Sequence, residues 1–186
     1  MMEYIQSKEL VIDEINVALG AVDPQEIDQL VKLILSSEKV FVVGVGRVLL
    51  MLQAFVKRLN HIGINANFVG AIDEPAITQD DLLIVGSGSG ESVIPVAIAK
   101  VAKKYNAKIV HIGSNAQSSV GAYADLFVRI PCKTKLNLPD EIQSRQPMSS
   151  LFEQGLLLLL DIVAMMIVER KGIDIPSLWK QHANLE

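Results

Sequence analysis

The chain has 186 residues, half of them hydrophobic and only 5% aromatic, which indicates one domain of ordinary size with an aliphatic core. Its net charge of −4 argues against nucleic acid as the main partner, because such binding normally needs a basic face. A lone cysteine, Cys132, excludes an internal disulfide and suits a reducing cytoplasm. The first residues lack the basic end and apolar core of a signal peptide. We therefore expect residues 1–186 to form a single cytoplasmic domain.

The most hydrophobic segment, residues 156–168, is short for a membrane span. It has 13 residues and contains Asp161, whereas a span needs about 20 mostly apolar residues. We therefore expect a helix that is buried in the core or in a subunit interface, and no membrane partner.

Two helices are predicted before the first strand. Residues 4–19 follow a helical stripe only loosely. The next helix is better marked, because Asp23 can cap it, Pro24 suits the first helical position and Glu26 completes a capping box.

From residue 40 onward, short apolar strands alternate with helical segments. Strands are predicted at residues 40–43, 64–69, 82–85, 108–112 and 126–130. Helices are predicted at about 49–59, 93–105, 118–124 and, starting with Pro147, 148–170, with a short last element near 176–181. This alternation predicts an α/β fold, a three-layer αβα sandwich with five parallel strands in flavodoxin-like or Rossmann-like winding. The polar residues 131–147 should form a long functional or mobile loop.

Two glycine turns directly follow predicted strands and should therefore share one edge of the sheet. The first, Gly44-Val45-Gly46-Arg47, resembles the start of a dinucleotide fingerprint. However, Leu49 occupies the third glycine position, and no acidic residue ends the next strand to bind a ribose. The turn therefore argues against a nicotinamide cofactor.

The second turn, Ser87-Gly88-Ser89-Gly90-Glu91-Ser92, joins a buried strand directly to a helix. Backbone N–H groups at such a helix start, with three hydroxyls beside them, favour an anion. No lysine or arginine lies in the turn, which suits a phosphate held by dipoles and hydroxyls. The alternative is a flexible surface loop, since Gly/Ser clusters are common between elements.

Four other residues are candidates for catalysis. Glu153 follows Leu151 and Phe152 on an apolar helix, where a carboxylate partly removed from water could serve as a base; it could also be a favourable charge near a helix start. His182 is a catalytic candidate or a solvated residue of the tail. His61 could act in the site or complement a helix end. Arg47 could bind a substrate oxygen or pair on the surface.

Several segments together resemble the sugar isomerase (SIS) domain family and, within it, the 6-phospho-3-hexuloisomerases. The turn at residues 86–92 alone indicates only the SIS superfamily. The more specific segments are Gln146-Pro147-Met148-Ser149-Ser150-Leu151-Phe152-Glu153-Gln154 and the terminal His182-Ala183-Asn184-Leu185-Glu186, with support from Gly44-x-Gly46-Arg47 and residues 58–63. The resemblance covers the chain from about residue 40 to its last residue.

The resemblance implies interconversion of D-arabino-3-hexulose 6-phosphate and D-fructose 6-phosphate in the ribulose monophosphate pathway of formaldehyde assimilation. It also implies a homotetramer whose active sites are shared between subunits. The hydroxyls of Ser87, Ser89 and Ser92 would bind the phosphate, with Gly46, Arg47 and the rest of the serine turn around it. Relatives usually continue Gly-x-Gly-Arg with serine, whereas this chain has Val48 and Leu49. That departure bears on affinity or substrate choice more than on the reaction type.

Moving a carbonyl between neighbouring carbons needs one proton taken and returned through a cis-enediol. We predict that Glu153 is the base, that His182, from a neighbouring subunit, opens the ring or moves protons between oxygens, and that Arg47 steadies the oxyanion. His61 and Glu91 stay open as alternatives for acid–base work. We expect no metal and no cofactor. The rival hypotheses are a non-catalytic sensor of sugar phosphates and an isomerase of another phosphosugar.

Overall fold

Five parallel strands form the centre of the described part of the protein, which is residues 3–182 and residue 184 of a computed structural model. The strands lie in the order β2-β1-β3-β4-β5. They are β1 Val40–Val43, β2 Ala66–Phe68, β3 Leu82–Gly86, β4 Lys108–Gly113 and β5 Leu126–Arg129. The five predicted strands and the parallel sheet are confirmed. Of the terminal segment that contributes to the family resemblance, Ala183, Leu185 and Glu186 lie outside the described residues.

Helices cover both faces of this sheet, as the alternating pattern predicts. They are α1 Tyr4–Gly20, α2 Pro24–Ser36, α3 Gly46–His61, α4 Val93–Lys104 and α5 Ser150–Arg170. Successive strand residues point to opposite faces, so Val42 and Ile84 pack with α2, α3 and α5, whereas Phe41 and Leu83 pack with α4. The three-layer αβα sandwich is therefore confirmed.

Helix α5 is long and apolar enough to cross a membrane by length and composition alone. Within the protein, however, it packs against α1, α2 and α3, and a little over half of its most apolar 18 residues are buried. This pattern is typical of the core helix of a folded domain.

Three local predictions need correction. The side chain of Asp23 caps α2 by accepting the Gln25 N–H at 2.8 Å. However, the Glu26 carboxylate accepts the Arg129 N–H at 2.9 Å instead of completing a capping box.

Helix α5 begins at Ser150 rather than at Pro147, because Met148 lies in the left-handed region at φ 56°. The element predicted near residues 118–124 is a single 3₁₀ turn, Gly121–Tyr123. A second 3₁₀ segment, Ile175–Gln181, matches the last predicted element.

Candidate active site

The two glycine turns lie at the point where the strand order reverses. From β1 the chain crosses to β2 on one side, and from β3 it crosses to β4 on the other, so the loops that leave β1 and β3 diverge. Ligands of open parallel sheets bind in the crevice that such divergence creates beyond the carboxyl ends of the strands. The expectation that both turns line one edge is confirmed.

A cleft of about 300 Å³ occupies this crevice. Its volume is at the lower end of the range for small-ligand pockets, about 300–1,000 Å³. Four segments line it, which are residues 45–48 at the start of α3, the serine turn, the loop after β5 and the start of α5. The lining residues that matter below are Gly46, Arg47, Val48, Ser87, Gly88, Ser89, Ser92, Thr134, Lys135, Phe152 and Glu153.

The serine turn is held in shape by its own hydroxyls. The Ser87 hydroxyl oxygen accepts the Gly90 N–H at 3.1 Å, and that of Ser89 accepts the Glu91 N–H at 3.3 Å. Each hydroxyl still has its own O–H to donate, because it is the oxygen that accepts in these bonds. Gly90 adopts φ 68°, and a Cβ there would lie 2.2 Å from the Ser118 hydroxyl oxygen, so this position requires glycine. The turn is therefore an ordered structure rather than a flexible surface loop.

His111 supports the turn from beneath. Its fully buried ring lies on β4 with Nε2 2.9 Å from the Ser87 carbonyl oxygen. Because a carbonyl oxygen can only accept, Nε2 must carry the hydrogen. Burial lowers the pKa of His111, although the bond to Ser87 and the Glu91 charge oppose this effect. The ring is therefore a neutral donor that fixes the first serine of the turn.

Glu91 faces away from the cleft lining. Its carboxylate accepts the Ser119 O–H at 2.6 Å and the Ser119 N–H at 2.8 Å. These two bonds, the hydroxyl first, lower the pKa of Glu91, with a smaller contribution from the Lys135 charge. Glu91 thus anchors the end of the turn to the segment after β4.

Glu153 and Arg47 meet inside the cleft. The Arg47 Nε lies 3.1 Å from a Glu153 carboxylate oxygen, and the Arg47 guanidinium also approaches the Ser150 hydroxyl at 3.4 Å. Glu153 is only 8% exposed, on the first turn of α5, whereas the Arg47 side chain is 57% exposed at the start of α3. The site therefore holds a largely buried carboxylate with a guanidinium directly beside it, facing the serine turn across the cleft.

His61 and His182 form a separate cluster. Their rings stack with centroids 5.4 Å apart, and Trp179 lies against His182 at 5.3 Å. Arg58 also lines this second, smaller cleft, which has a volume of about 170 Å³. The structure thus brings the two histidines together, but neither lines the cleft that contains Glu153 within the described chain.

Thr134 and Lys135 line the main cleft, although no motif or periodicity in the sequence indicates them. Both belong to the loop of residues 131–147, which has no helical or strand periodicity. The position of the loop in the chain does indicate a role in the cleft. It follows the carboxyl end of a parallel strand, β5, and therefore lies at the same edge of the sheet as the two glycine turns. In the described part of the chain, no group of three or more His, Cys, Asp and Glu side chains is arranged to hold a metal ion.

The doubly wound sheet, the ordered serine turn and the carboxylate opposite it define a class of phosphosugar-binding α/β domains. The model of the SIS domain matches residues 33–159, and the chain belongs to that family. The 3-hexulose-6-phosphate isomerase of Bacillus subtilis is 40% identical over 184 residues, covering 99% of this chain and 98% of the relative. The enzyme of the same name from Mycobacterium gastri is 37% identical over 177 residues, covering 95% and 88%.

A solved structure agrees with these relatives. A protein of Methanococcus jannaschii, with an inferred molecular function of 3-hexulose-6-phosphate isomerase, superposes with a TM-score of 0.85 at 31% identity. The match covers 97% of this chain and 99% of that one. The predicted relationship to the 6-phospho-3-hexuloisomerases, which are the same enzymes under a second name, is confirmed.

Proposed function

We propose that this protein interconverts D-arabino-3-hexulose 6-phosphate and D-fructose 6-phosphate, a step of the ribulose monophosphate pathway. The observation that carries the proposal is the cleft itself, in which the largely buried Glu153 faces an ordered turn of serines. A base opposite a phosphate site is what an isomerase of a phosphosugar requires. The names of full-length relatives supply the particular substrate.

The phosphate would bind at the serine turn. Ser87, Ser89 and Ser92 all line the cleft and can donate their O–H groups to phosphate oxygens. Gly88 lets the turn pack closely against the cleft wall, since a Cβ there would lie 3.3 Å from Thr134 and 3.5 Å from Phe152. Gly90 and Glu91 would act indirectly, by keeping the turn in shape. Gly46, at φ 58°, would let the start of α3 close the other side of the site.

Glu153 would act as the base. In the forward direction it takes the proton from C2 of the 3-hexulose. The electron pair of that C–H bond forms the C2–C3 double bond of a cis-enediolate, while the π pair of the C3 carbonyl moves onto its oxygen. A proton then moves from the C2 oxygen to the C3 oxygen; the C2 oxygen re-forms a carbonyl as the electron pair of the C2–C3 double bond takes the proton of Glu153 at C3. One carboxylate serves both carbons because they are adjacent on one face.

Arg47 would stabilise the oxygen that gains negative charge during this transfer. Its guanidinium already lies 3.1 Å from the base, so a substrate bound against both groups would place its carbonyl oxygen beside a cation. Preorganised charge of this kind is a major contribution to catalysis.

A homotetramer with shared active sites would bring the proposed proton-transfer histidine to the cleft that contains Glu153. His182 of one subunit would enter the Glu153 cleft of a neighbour to open the ring or move protons between oxygens, with His61 of the same cluster as the alternative. Support comes from large apolar side chains that stay exposed on α5 and the last 3₁₀ segment, which are Ile162, Met165, Ile175 and Trp179. Exposed apolar surface of this extent usually marks an interface.

The remaining expectations fit this role. We propose that residues 1–186 form one SIS domain, in which α1 and most of α2 extend the matched region toward the N-terminus. A cytoplasmic location suits its free, buried Cys132. A sugar phosphate would be the small-molecule partner, with no cofactor required.

The test is incubation of the purified protein with 3-hexulose 6-phosphate while fructose 6-phosphate is measured by a coupled assay. We expect turnover in both directions. Turnover of an arabinose or heptose phosphate instead would make the protein an isomerase of another phosphosugar. Binding of sugar phosphates without turnover of any of them would make it a sensor.

A further inference from the structure

The loop after β5, residues 131–147, has a defined structure that is held by internal hydrogen bonds. It folds back on itself so that Cys132 pairs with Ile142 in a short parallel bridge. The Ile142 N–H donates to the Pro131 carbonyl at 2.6 Å, and the Lys133 N–H donates to the Ile142 carbonyl at 3.0 Å. Two arms of the loop are therefore fastened together at its base.

A buried carboxylate fixes the first arm. Glu141 is 5% exposed and accepts the Thr134 O–H at 2.7 Å, the Thr134 N–H at 3.1 Å and the Leu138 N–H at 2.9 Å. Its neighbour Asp140 pairs with Arg129 at the end of β5. Bonds to a charged acceptor are the stronger kind, so Thr134 and the residue after it have a fixed position.

This position is the rim of the active-site cleft. The Thr134 methyl group packs over Gly88 in the serine turn, and the next residue, Lys135, lines the cleft with an exposed side chain. The Lys135 charge reaches the turn, since it contributes, after the Ser119 hydrogen bonds, to the lowered pKa of Glu91.

A phosphate monoester carries roughly two negative charges near neutral pH, and the serine turn offers it only N–H and O–H groups. Two cations line the cleft. Arg47 pairs with Glu153 at 3.1 Å and is proposed to act at the carbonyl oxygen of the substrate, whereas Lys135 forms no salt bridge among the described residues. Lys135 is thus the cation that is available to the phosphate.

We propose that Lys135 is a specificity-determining residue that neutralises the phosphate of the substrate, and that Glu141 is the positioning residue that holds Lys135 there. The inference rests on the proposed function and deepens it, since it concerns the same cleft. It predicts that the cleft prefers phosphorylated to unphosphorylated sugars through a charge that lies outside the serine turn.

The test compares Lys135→Gln with the control Lys133→Gln. The control also removes one positive charge, but from a side chain that does not line the cleft. We expect Lys135→Gln to raise KM about tenfold, because the contact between the lysine charge and the substrate phosphate is lost. The kcat should stay within about twofold, because the proposed base, Glu153, is unchanged. Lys135→Arg should restore most of the affinity. Equal KM values for Lys135→Gln and Lys133→Gln would overturn the inference.

A binding measurement separates this inference from the proposed function. Inorganic phosphate is titrated calorimetrically into the wild-type protein and both variants, which needs no turnover. Wild-type protein that binds phosphate more tightly than Lys135→Gln supports the role of Lys135 even if the isomerase assay fails. A further variant, Glu141→Gln, should weaken phosphate binding with Lys135 intact and leave the pH profile of kcat unchanged. Unchanged binding in Glu141→Gln would remove the positioning role.

Discussion

Arg47 and Glu153, which come from the starts of two different helices, meet at 3.1 Å across the cleft. One partner is largely buried and the other is more than half exposed, so the contact lies between the protein interior and the space that a substrate would occupy. The group proposed to move the proton and the group proposed to hold the developing charge are thus neighbours before any substrate arrives. Such preorganisation saves rearrangement during the reaction.

The first prediction concerns this base. Glu153→Gln keeps the shape of the side chain and removes its ability to accept a proton, so kcat should fall about 10²–10⁴-fold. Binding of fructose 6-phosphate should change little, because the serine turn is intact. Steady-state kinetics and calorimetric binding measure the two effects separately. A variant that keeps more than about a tenth of wild-type kcat would exclude Glu153 as the base.

Subunit sharing makes a second prediction. Glu153→Gln and His182→Ala should each be nearly inactive, and mixing them under conditions that exchange subunits should restore activity. If each site combines Glu153 of one subunit with His182 of another, about a quarter of the sites in a random mixture regain both groups. Sedimentation of the mixture checks that it is still assembled. No recovery after full subunit exchange would show that the two residues do not act in one shared site.

Val48 provides a third prediction. It lines the cleft at the position where the family resemblance leads us to expect serine, so Val48→Ser should add a hydroxyl that can reach the substrate. We expect KM to fall about three- to tenfold, the value of one additional hydrogen bond, with kcat nearly unchanged. Val48→Ala is the matched control, because it also removes methyl groups but adds no hydroxyl. If the two variants have equal KM values, position 48 does not contact the substrate.

The buried imidazole of His111 gives a fourth prediction, on stability against pH. Burial holds the pKa of His111 below its ordinary value, so below about pH 6.5 the unfolded chain takes up a proton that the folded protein does not. The free energy of unfolding should therefore decrease as the pH falls below that value, by at most about 1.4 kcal/mol per pH unit. Urea denaturation of the wild type and His111→Gln between pH 8 and 5.5 measures the difference, since the other histidines are common to both. If the free energy of unfolding changes with pH by the same amount in both proteins, His111 is not the source of the pH dependence.

Cys132 leads to a fifth prediction. Burial, with the nearby Glu141 and Glu14 carboxylates, raises the pKa of this thiol to about 12. Because the thiolate is the reactive form, native protein should not react with a chromogenic disulfide reagent at neutral pH, and unfolded protein should react at once. Rapid labelling of the native protein would show that the base of the loop opens.

The strands and the serine turn could be predicted because their signals are local. Four apolar residues before a glycine predict a buried parallel strand whatever follows, and β3 has this form. Glu26 shows the limit of local reasoning. Its spacing from Asp23 fits a capping box, but folding brings the Arg129 N–H to it from 103 residues away.

The loop of residues 131–147 was harder to predict for the same reason. Its shape depends on hydrogen bonds between residues that carry no periodic pattern, such as those of Glu141 to Thr134. Glu14 on α1 also holds the far end of the loop, through Ser144 and Gln146. A polar, proline-containing sequence does not reveal such partners, so the position of Lys135 at the cleft became visible only in the folded chain.

The packing of Val48 against the two strand ends has an evolutionary consequence. A Cβ on Gly44 or Gly86 would lie 2.9 Å from a methyl group of Leu52 and 3.0–3.2 Å from one of Val48. Substitutions at these four positions should therefore be epistatic, since a side chain at either glycine meets less resistance once Val48 or Leu52 on α3 has become smaller. A smaller residue on the helix thus widens the set of side chains that the two strand ends can accept.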